Sequence, residues 1–327
     1  MAETVSGRCW RLRPPGPTFP AVSDSTTDLK RAAGLGERKP SWLKVRAPAG
    51  ENYRRVKQTI TELRLHTVCQ EARCPNVGEC WGAGTATVML LGDTCTRGCR
   101  FCAVAAGKPA GAVDSAEPAN VARAVAKLDL RYVVLTMVTR DDLDDGGAGH
   151  VAETVAALRE HSSTVLVETL VGDFAGKPKD VDTVLEARPD VFAHNVEVPR
   201  RLTSTIRDHR FGYDRSLEVL SRARARGLSR FVKSGFMVGM GEGDEEVYET
   251  LSDLYRAGAQ VVTIGQYLRP SARHAPVVRY VNPDQFSEYE RMGRDLGFAF
   301  VASGPLVRSS YHAAEGFVQA RLRPASS

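Results

Sequence analysis

The chain has 327 residues, 43% of them hydrophobic and 25% charged, with a formal net charge of +5. That is enough apolar material for a full core without disulfide staples, and no run reaches the roughly 18 apolar residues of a membrane span. Met1 to Pro20 lacks the apolar stretch of a secretory signal, so a cytoplasmic location is expected. The mild, dispersed basic excess suits an acidic protein partner and gives no footing for nucleic-acid or membrane binding.

Residues 1–50 are rich in Pro, Gly and Arg and read as an irregular arm; an organelle transit peptide is weighed against by Glu3, Asp24 and Asp28. From Asn52, a plausible N-cap, Val56, Ile60 and Leu63 recur at helical spacing. This helix leads into Cys69, Cys74 and Cys80 in a C-x4-C-x5-C pattern, where Pro75 and Gly78 turn the chain so that three thiolates can converge. Taken alone, the pattern supports zinc and an iron-sulfur cluster about equally.

After Gly84, six apolar, β-branched runs (85–91, 132–138, 164–170, 191–196, 231–238 and 261–268) alternate with amphipathic stretches. Alternation of that kind predicts a parallel sheet with right-handed crossovers: a partial (β/α)6 TIM-like barrel with N- and C-terminal extensions, or, as the alternative, an open doubly wound sheet. Polar residues gather around the strand ends, where such folds assemble chemistry: Asp93, Arg140-Asp141-Asp142, Glu168, Asp173, Asn195, Glu197, Gly239-Met-Gly-Glu242 and Gln266 to Arg269.

Cys95, Cys99 and Cys102 follow the first of these strands as C-x3-C-x2-C. Six of the seven cysteines lie between Cys69 and Cys102, and in a reducing compartment clustered thiols bind metal more often than they form disulfides. Three thiolates on a short loop with Gly98 suit a four-iron cube with one iron left open; the bland readings are a zinc knob or three buried cysteines. Glu168, Asn195, Glu197 and Lys233 are candidates to contact a ligand from the barrel rim, against solvent exposure or mutual pairing. His194 reads as a hydrogen-bonded structural residue. Neither a Gly-x-Ser-x-Gly elbow nor a His-Glu-x-x-His pair occurs, so hydrolysis has no support.

The C-x3-C-x2-C spacing resembles the radical SAM superfamily. The whole set of phrases, Leu65 to Asn76, Leu91 to Val104, Arg140-Asp-Asp-Leu, His194-Asn-Val-Glu197, Gly265 to Pro270 and Arg308-Ser-Ser-Tyr-His312, resembles its lipoyl synthase family over roughly residues 41–315. The resemblance implies two 4Fe-4S clusters and S-adenosylmethionine (SAM). Cys95, Cys99 and Cys102 would hold the SAM-binding cluster, with Phe101 beside the adenine. Cys69, Cys74, Cys80 and Ser310 would hold an auxiliary cluster that donates sulfur, Ser310 serving as a catalytically important weak ligand so that the cluster can be consumed. Without the family, Ser309 or Ser310 would read as a helix N-cap, and Cys9 is a rival ligand.

The implied reaction inserts sulfur at C6 and C8 of an octanoyl chain on a lysine of a lipoyl-domain protein or glycine-cleavage carrier protein. A ferredoxin or flavodoxin would give electrons and an iron-sulfur carrier protein would rebuild the auxiliary cluster. The implied division of the chain is an arm at 1–50, an auxiliary-cluster extension at 51–83, the barrel at 84–305 and a C-terminal segment at 306–327. Another radical SAM sulfur-inserting enzyme and a non-catalytic iron-sulfur electron carrier are the alternatives. Two positions depart from the family: Asn195-Val-Glu-Val-Pro199 is one residue shorter after the glutamate, which bears on local rim contacts, and Asp144 stands where proline is common.

Overall fold

A computed structural model describes residues 39–45, 50–72, 74–82, 87–162 and 164–310, with Gly316, Val318 and Arg321. Cys9 and residues 311–315, including the helix that Ser310 would cap, lie outside the described residues.

Helix α1 (Glu51–Glu62) starts behind Gly50, so Asn52 lies inside it rather than at its cap. Val56 and Ile60 are buried as the spacing predicts. Strand β1 (His66–Thr67) then runs antiparallel to β2 (Thr87–Leu90), with His66 opposite Met89, which stitches the N-terminal extension into the main sheet. Between them, α2 (Val68–Glu71), whose N-cap Thr67 side chain accepts from Gln70, and α3 (Val77–Gly82) carry the first triplet.

The rest is βα alternation. Strands β5 (Tyr132–Met137), β6 (Leu166–Leu170), β7 (Val191–Ala193), β8 (Phe231–Val238), β9 (Val261–Gln266) and β10 (Phe300–Gly304) follow β2 in the sheet in chain order, every pair parallel. A short ladder of β3 (Thr94–Cys95) with β4 (Ala105–Ala106) brackets the second cysteine loop. The crossovers carry α4 (Glu117–Leu128), α5 (Ala148–His161), α6 (Pro178–Glu186), α7 (Arg200–Ile206), α8 (Tyr213–Arg226), α9 (Asp244–Arg256) and α10 (Pro283–Leu296).

Strand order that never reverses, joined by crossovers of one hand, puts every helix on one side of the sheet. A doubly wound sheet needs a switch point, and none occurs here. Residues Val133, Leu135, Val167, Phe192, Val232 and Ile264 pack on the helical side, against Leu158, Leu185, Leu220 and Leu251. The alternate positions Tyr132, Val134, Leu166 and Val191 cluster on the other side with Val318. The parallel run has seven strands, not six: Phe300–Gly304 is the addition, short and poor in β-branched residues. Burial on both faces explains why β2 and β9 are buried at every position.

Candidate functional site

The second triplet leaves the C-terminal end of β2 and is fastened to the neighbouring strand ends. Arg97, inside the loop, has a side chain 1% exposed; it pairs with Asp141 beyond β5 at 2.7 Å and with Asp173 beyond β6 at 2.8 Å, and lies over the Phe211 ring at 4.1 Å. Gly98 donates its amide to Asp208 at 2.8 Å, and Arg210 grips both Asp208 and the Thr96 carbonyl. On the far side His274 touches the Cys102 carbonyl at 2.9 Å and the Ser271 hydroxyl at 2.9 Å. A carbonyl only accepts, so Nε2 carries a proton and donates to it.

The sulfurs themselves receive backbone donors: Cys95 Sγ from Arg97 at 3.4 Å and Thr139 at 3.3 Å, and Cys99 Sγ from Asp208 at 3.3 Å. Burial, with the charge of a neighbouring thiol added, pushes Cys99 up to about 12 and Cys102 up to about 11. Cys102 feels Cys95, and Cys99 feels Cys102, so the three sulfurs share one small region. Among the described residues no three His, Cys, Asp or Glu side chains converge on a single ion position. A four-iron cube takes its thiolates on separate irons. Soft donors, amides aimed at sulfur and thiols that burial keeps protonated without a metal together make a donor set that fits a cluster.

Beside this loop, β7 is followed by a tight turn in which Val198 N–H reaches the Val196 carbonyl at 2.8 Å across Glu197, whose φ is +67°. A γ-turn of that hand is rare and strained for a non-glycine residue, and such strain gathers at functional sites. It is how the shortened Asn195-Val-Glu-Val-Pro199 segment closes. Its backbone is pinned to β8, Glu197 N to Gly235 O at 3.2 Å and Met237 N to Glu197 O at 2.8 Å. Burial raises the Glu197 carboxyl, with Arg207 and Asn195 opposing the rise, and its charge is felt by Cys99 and Cys102. A side chain on Gly235 would meet Thr263 Oγ1 at 2.4 Å and Asn195 Oδ1 at 3.2 Å, so this corner admits only glycine.

Arg207 had no sequence signal and completes the group. It is 5% exposed, donates to Ser216 Oγ at 2.9 Å, and keeps Nε without a partner among the described residues. Phe101 packs on the edge of an apolar cluster of Val198, Leu202, Ile206, Met240 and Tyr267. His194 donates Nδ1–H to Val171 O at 2.8 Å, and burial drives it down to about 4, so it is neutral.

Two rim candidates lie elsewhere. Glu168 is mid-strand in β6 and Lys233 near the start of β8; they bond each other at 2.8 and 3.0 Å, and Tyr132 OH adds a 2.5 Å bond to Glu168. With side chains 1% and 2% exposed, they satisfy one another in the core, which corrects their expected place at the rim. Gly239-Met-Gly-Glu242 closes on itself, Glu242 accepting from Gly239 at 2.6 Å and Met240 at 2.9 Å. Within Arg140-Asp141-Asp142, Arg140 holds Asp142 while Asp141 serves the cysteine loop.

In the first triplet, Cys69 and Cys80 are 9% exposed and Cys74 is half-buried. Trp81, fully buried, stacks at 5.2 Å on Tyr53 of α1 and wedges the loop against that helix. Burial raises the Cys69 and Cys74 thiols; for Cys74 the Asn76 amide and the Arg308 guanidinium partly offset it. Arg308 and Asn76 connect this loop to the segment after β10, where half-buried Ser310 stands in a turn. The donor set again fits a cluster: thiols from two short helices and the turn between them, a cation beside the turn's thiol, and a hydroxyl on the adjoining segment.

A family model described as the radical SAM superfamily matches residues 89–254, and one described as the N-terminal domain of lipoyl synthase of the radical SAM family matches residues 18–74. The chain is 60% identical over 298 residues to the lipoyl synthase of Sorangium cellulosum, covering 87% of this chain and 80% of that one. It is 52% identical over 293 residues to the lipoyl synthase of Thermus thermophilus, covering 90% and 91%. SuiB from Streptococcus suis, solved bound to S-adenosylmethionine, is similar in fold alone, with a TM-score of 0.52 and 11% identity over 70% of this chain and 54% of that one.

Proposed function

The chain belongs to the lipoyl synthase family of radical SAM enzymes, and from that premise we propose that it inserts sulfur at C6 and C8 of an octanoyl chain carried on a lysine of a lipoyl-domain protein or glycine-cleavage carrier protein. The observation that carries this reading is the triplet Cys95, Cys99 and Cys102, mutually coupled at the strand edge and flanked by Glu197, Asn195 and Arg207. When bound on Cys95, Cys99 and Cys102, a cluster would supply the electron for reductive cleavage of SAM, and one held by the first triplet would supply sulfur.

The protein's own part is to bind and orient. Glu197 presents a carboxylate suited to the ammonium or ribose hydroxyls of SAM, Asn195 an amide, and Arg207 a donor suited to the SAM carboxylate. Phe101, on its apolar cluster, offers a surface for the adenine. Ser310 is the fourth ligand of the first triplet; a serine oxygen is harder than thiolate and holds iron less firmly, which suits a cluster that yields its sulfide. We assign residues 51–83 and 306–327 to the auxiliary-cluster cap and 84–305 to the barrel.

Electrons come from a ferredoxin or flavodoxin, whose acidic surface matches the net charge of +5, and an iron-sulfur carrier rebuilds the auxiliary cluster. Among the described residues no helix is long and apolar enough to cross a membrane, and a cytoplasmic location is part of the proposed reading. The test is anaerobically reconstituted protein with SAM, a reductant and an octanoyl-lysyl peptide, followed by mass spectrometry. Dithiolated peptide with 5′-deoxyadenosine is the expected outcome; redox activity without 5′-deoxyadenosine would establish an electron carrier instead.

A further inference from the structure

Asn76 sits between the second and third cysteines of the first triplet and is 3% exposed. Its carbonyl receives the Cys80 amide at 2.9 Å, and its backbone amide is near enough to Cys74 to lower that thiol against burial. Its side chain leaves the triplet altogether: Nδ2 donates to the Leu306 carbonyl at 2.7 Å. Among the described residues this is the one hydrogen bond joining residues 305–310 to another part of the chain. The other bonds of the segment are local, Val307 N to Gly304 O at 3.1 Å and Arg308 to the Pro305 and Val307 carbonyls.

The segment is seated closely on the barrel from the other side. A Cβ on Gly265 of β9 would come within 2.2 Å of the Val307 carbonyl oxygen, so glycine lets the strap lie flat on the strand. Close seating positions the segment and adds no directional bond; the Asn76 amide supplies that bond. Asn76 Oδ1 has no partner among the described residues, so the side chain is tied by one bond rather than woven into a network.

We infer that Asn76 is a positioning residue that latches the Ser310 segment onto the first triplet, so that one hydrogen bond sets how readily the serine side lifts from the thiolates. The inference rests on Ser310 being the fourth ligand. A ligand that must let go when the cluster gives up sulfur, and bind again when it is rebuilt, needs a tether that can open without dismantling the loop holding the cysteines. A single side-chain to main-chain bond four residues upstream of the serine has that property.

The test compares full-length wild type, Asn76→Asp, Asn76→Ala and Ser310→Ala. Aspartate keeps the shape of asparagine, but its carboxylate cannot donate to the Leu306 carbonyl. In the metal-free chain, hydrogen exchange of the peptide covering 305–310 should accelerate about fivefold to tenfold in Asn76→Asp, the range one buried neutral hydrogen bond supports, with the Cys95–Cys102 peptide unchanged. After reconstitution, the fast fraction of iron released to a chelator should leave about tenfold faster in Asn76→Asp, and at least as fast in Ser310→Ala. Unchanged exchange at 305–310, or wild-type iron release from Asn76→Asp while Ser310→Ala is accelerated, overturns the latch. Faster exchange with wild-type iron release from both variants overturns instead the reading of Ser310 as a ligand, and the inference with it.

Discussion

The two cysteine triplets are built by opposite means. Cys95, Cys99 and Cys102 stand on a loop bolted to four other parts of the barrel by side-chain bonds, Arg97 to Asp141 and Asp173, Gly98 to Asp208, and His274 to the Cys102 carbonyl. Cys69 and Cys80 stand on two short helices wedged by Trp81, with Cys74 on the turn between them, and the loop is joined to the C-terminal segment through one amide and one guanidinium. The contrast fits the division of chemistry: a centre that passes an electron and returns to its starting state gains from a rigid frame, whereas one that surrenders atoms must open.

Arg97 tests the rigid half most severely. In Arg97→Leu the fully buried Asp173 keeps the Ala175 amide at 3.1 Å and, as its one remaining cation among the described residues, Arg215 at 3.5 Å. Removing one partner of a buried pair costs about 3–5 kcal/mol, so iron on the second triplet and SAM cleavage should fall at least about 100-fold, measured as 5′-deoxyadenosine formed. Iron on the first triplet should persist. Loss of both clusters in equal measure would mean that the two frames are mechanically one.

Lys233 gives a loss of similar size in stability rather than in chemistry. Lys233→Met strands Glu168 in the core and should destabilise the fold by about 3–5 kcal/mol in denaturant titration, with most of this recovered in Lys233→Met/Glu168→Leu. A weakened SAM affinity without that loss of stability would return the pair to the ligand site.

Much of this contrast was legible in the residues. Periodicity located the strands and Val56 and Ile60 of α1, and spacing isolated both triplets, because thiol chemistry announces itself locally. What failed was tertiary. Glu168 and Lys233 are polar residues in a core, and polarity in a strand reads as rim until the partner is known; their approach across β6, β7 and β8 is a property of the assembled sheet. Arg207 and His274 lie in segments without periodicity, so nothing local tied them to cysteines about 100 and 170 residues away. Arg97 and Asn76 lay inside the motifs, yet reading the cysteines as the working residues concealed that the intervening side chains do the fastening. Phe300–Gly304 escaped because Ala, Ser and Gly carry little strand signal.

A smaller effect sharpens the comparison at the ligand. Glu197→Gln keeps the γ-turn and the volume but removes the charge near Cys99 and Cys102. SAM affinity in equilibrium dialysis should drop about tenfold, the range of one charge-assisted hydrogen bond, with iron content on both triplets unchanged. A fall in iron instead would make Glu197 part of the frame.

The smallest effect concerns acid. His194 lies behind the second loop, its ring held neutral by burial with Arg207 and Arg97 adding to the same shift, and it titrates at about 4 in the fold against 6.5 as the ordinary value. The folded pKa is the lower one, so between these values the unfolded chain binds the proton and the folded chain does not. The stabilising contribution is therefore complete above pH 6.5 and is lost as pH falls toward 4. From pH 7 to 5.5 the loss is about 1 kcal/mol, and unfolding titrations of wild type and His194→Asn should converge by that amount over this interval. Because the arginines that hold His194 neutral also anchor the second loop or stand beside it, mild acid should loosen that loop, seen as faster hydrogen exchange of Cys95–Cys102, while the Asn76–Leu306 contact, which has no titratable partner, exchanges as before. Equal acid sensitivity in the two regions would place the titrating group somewhere common to both and remove His194 from the frame.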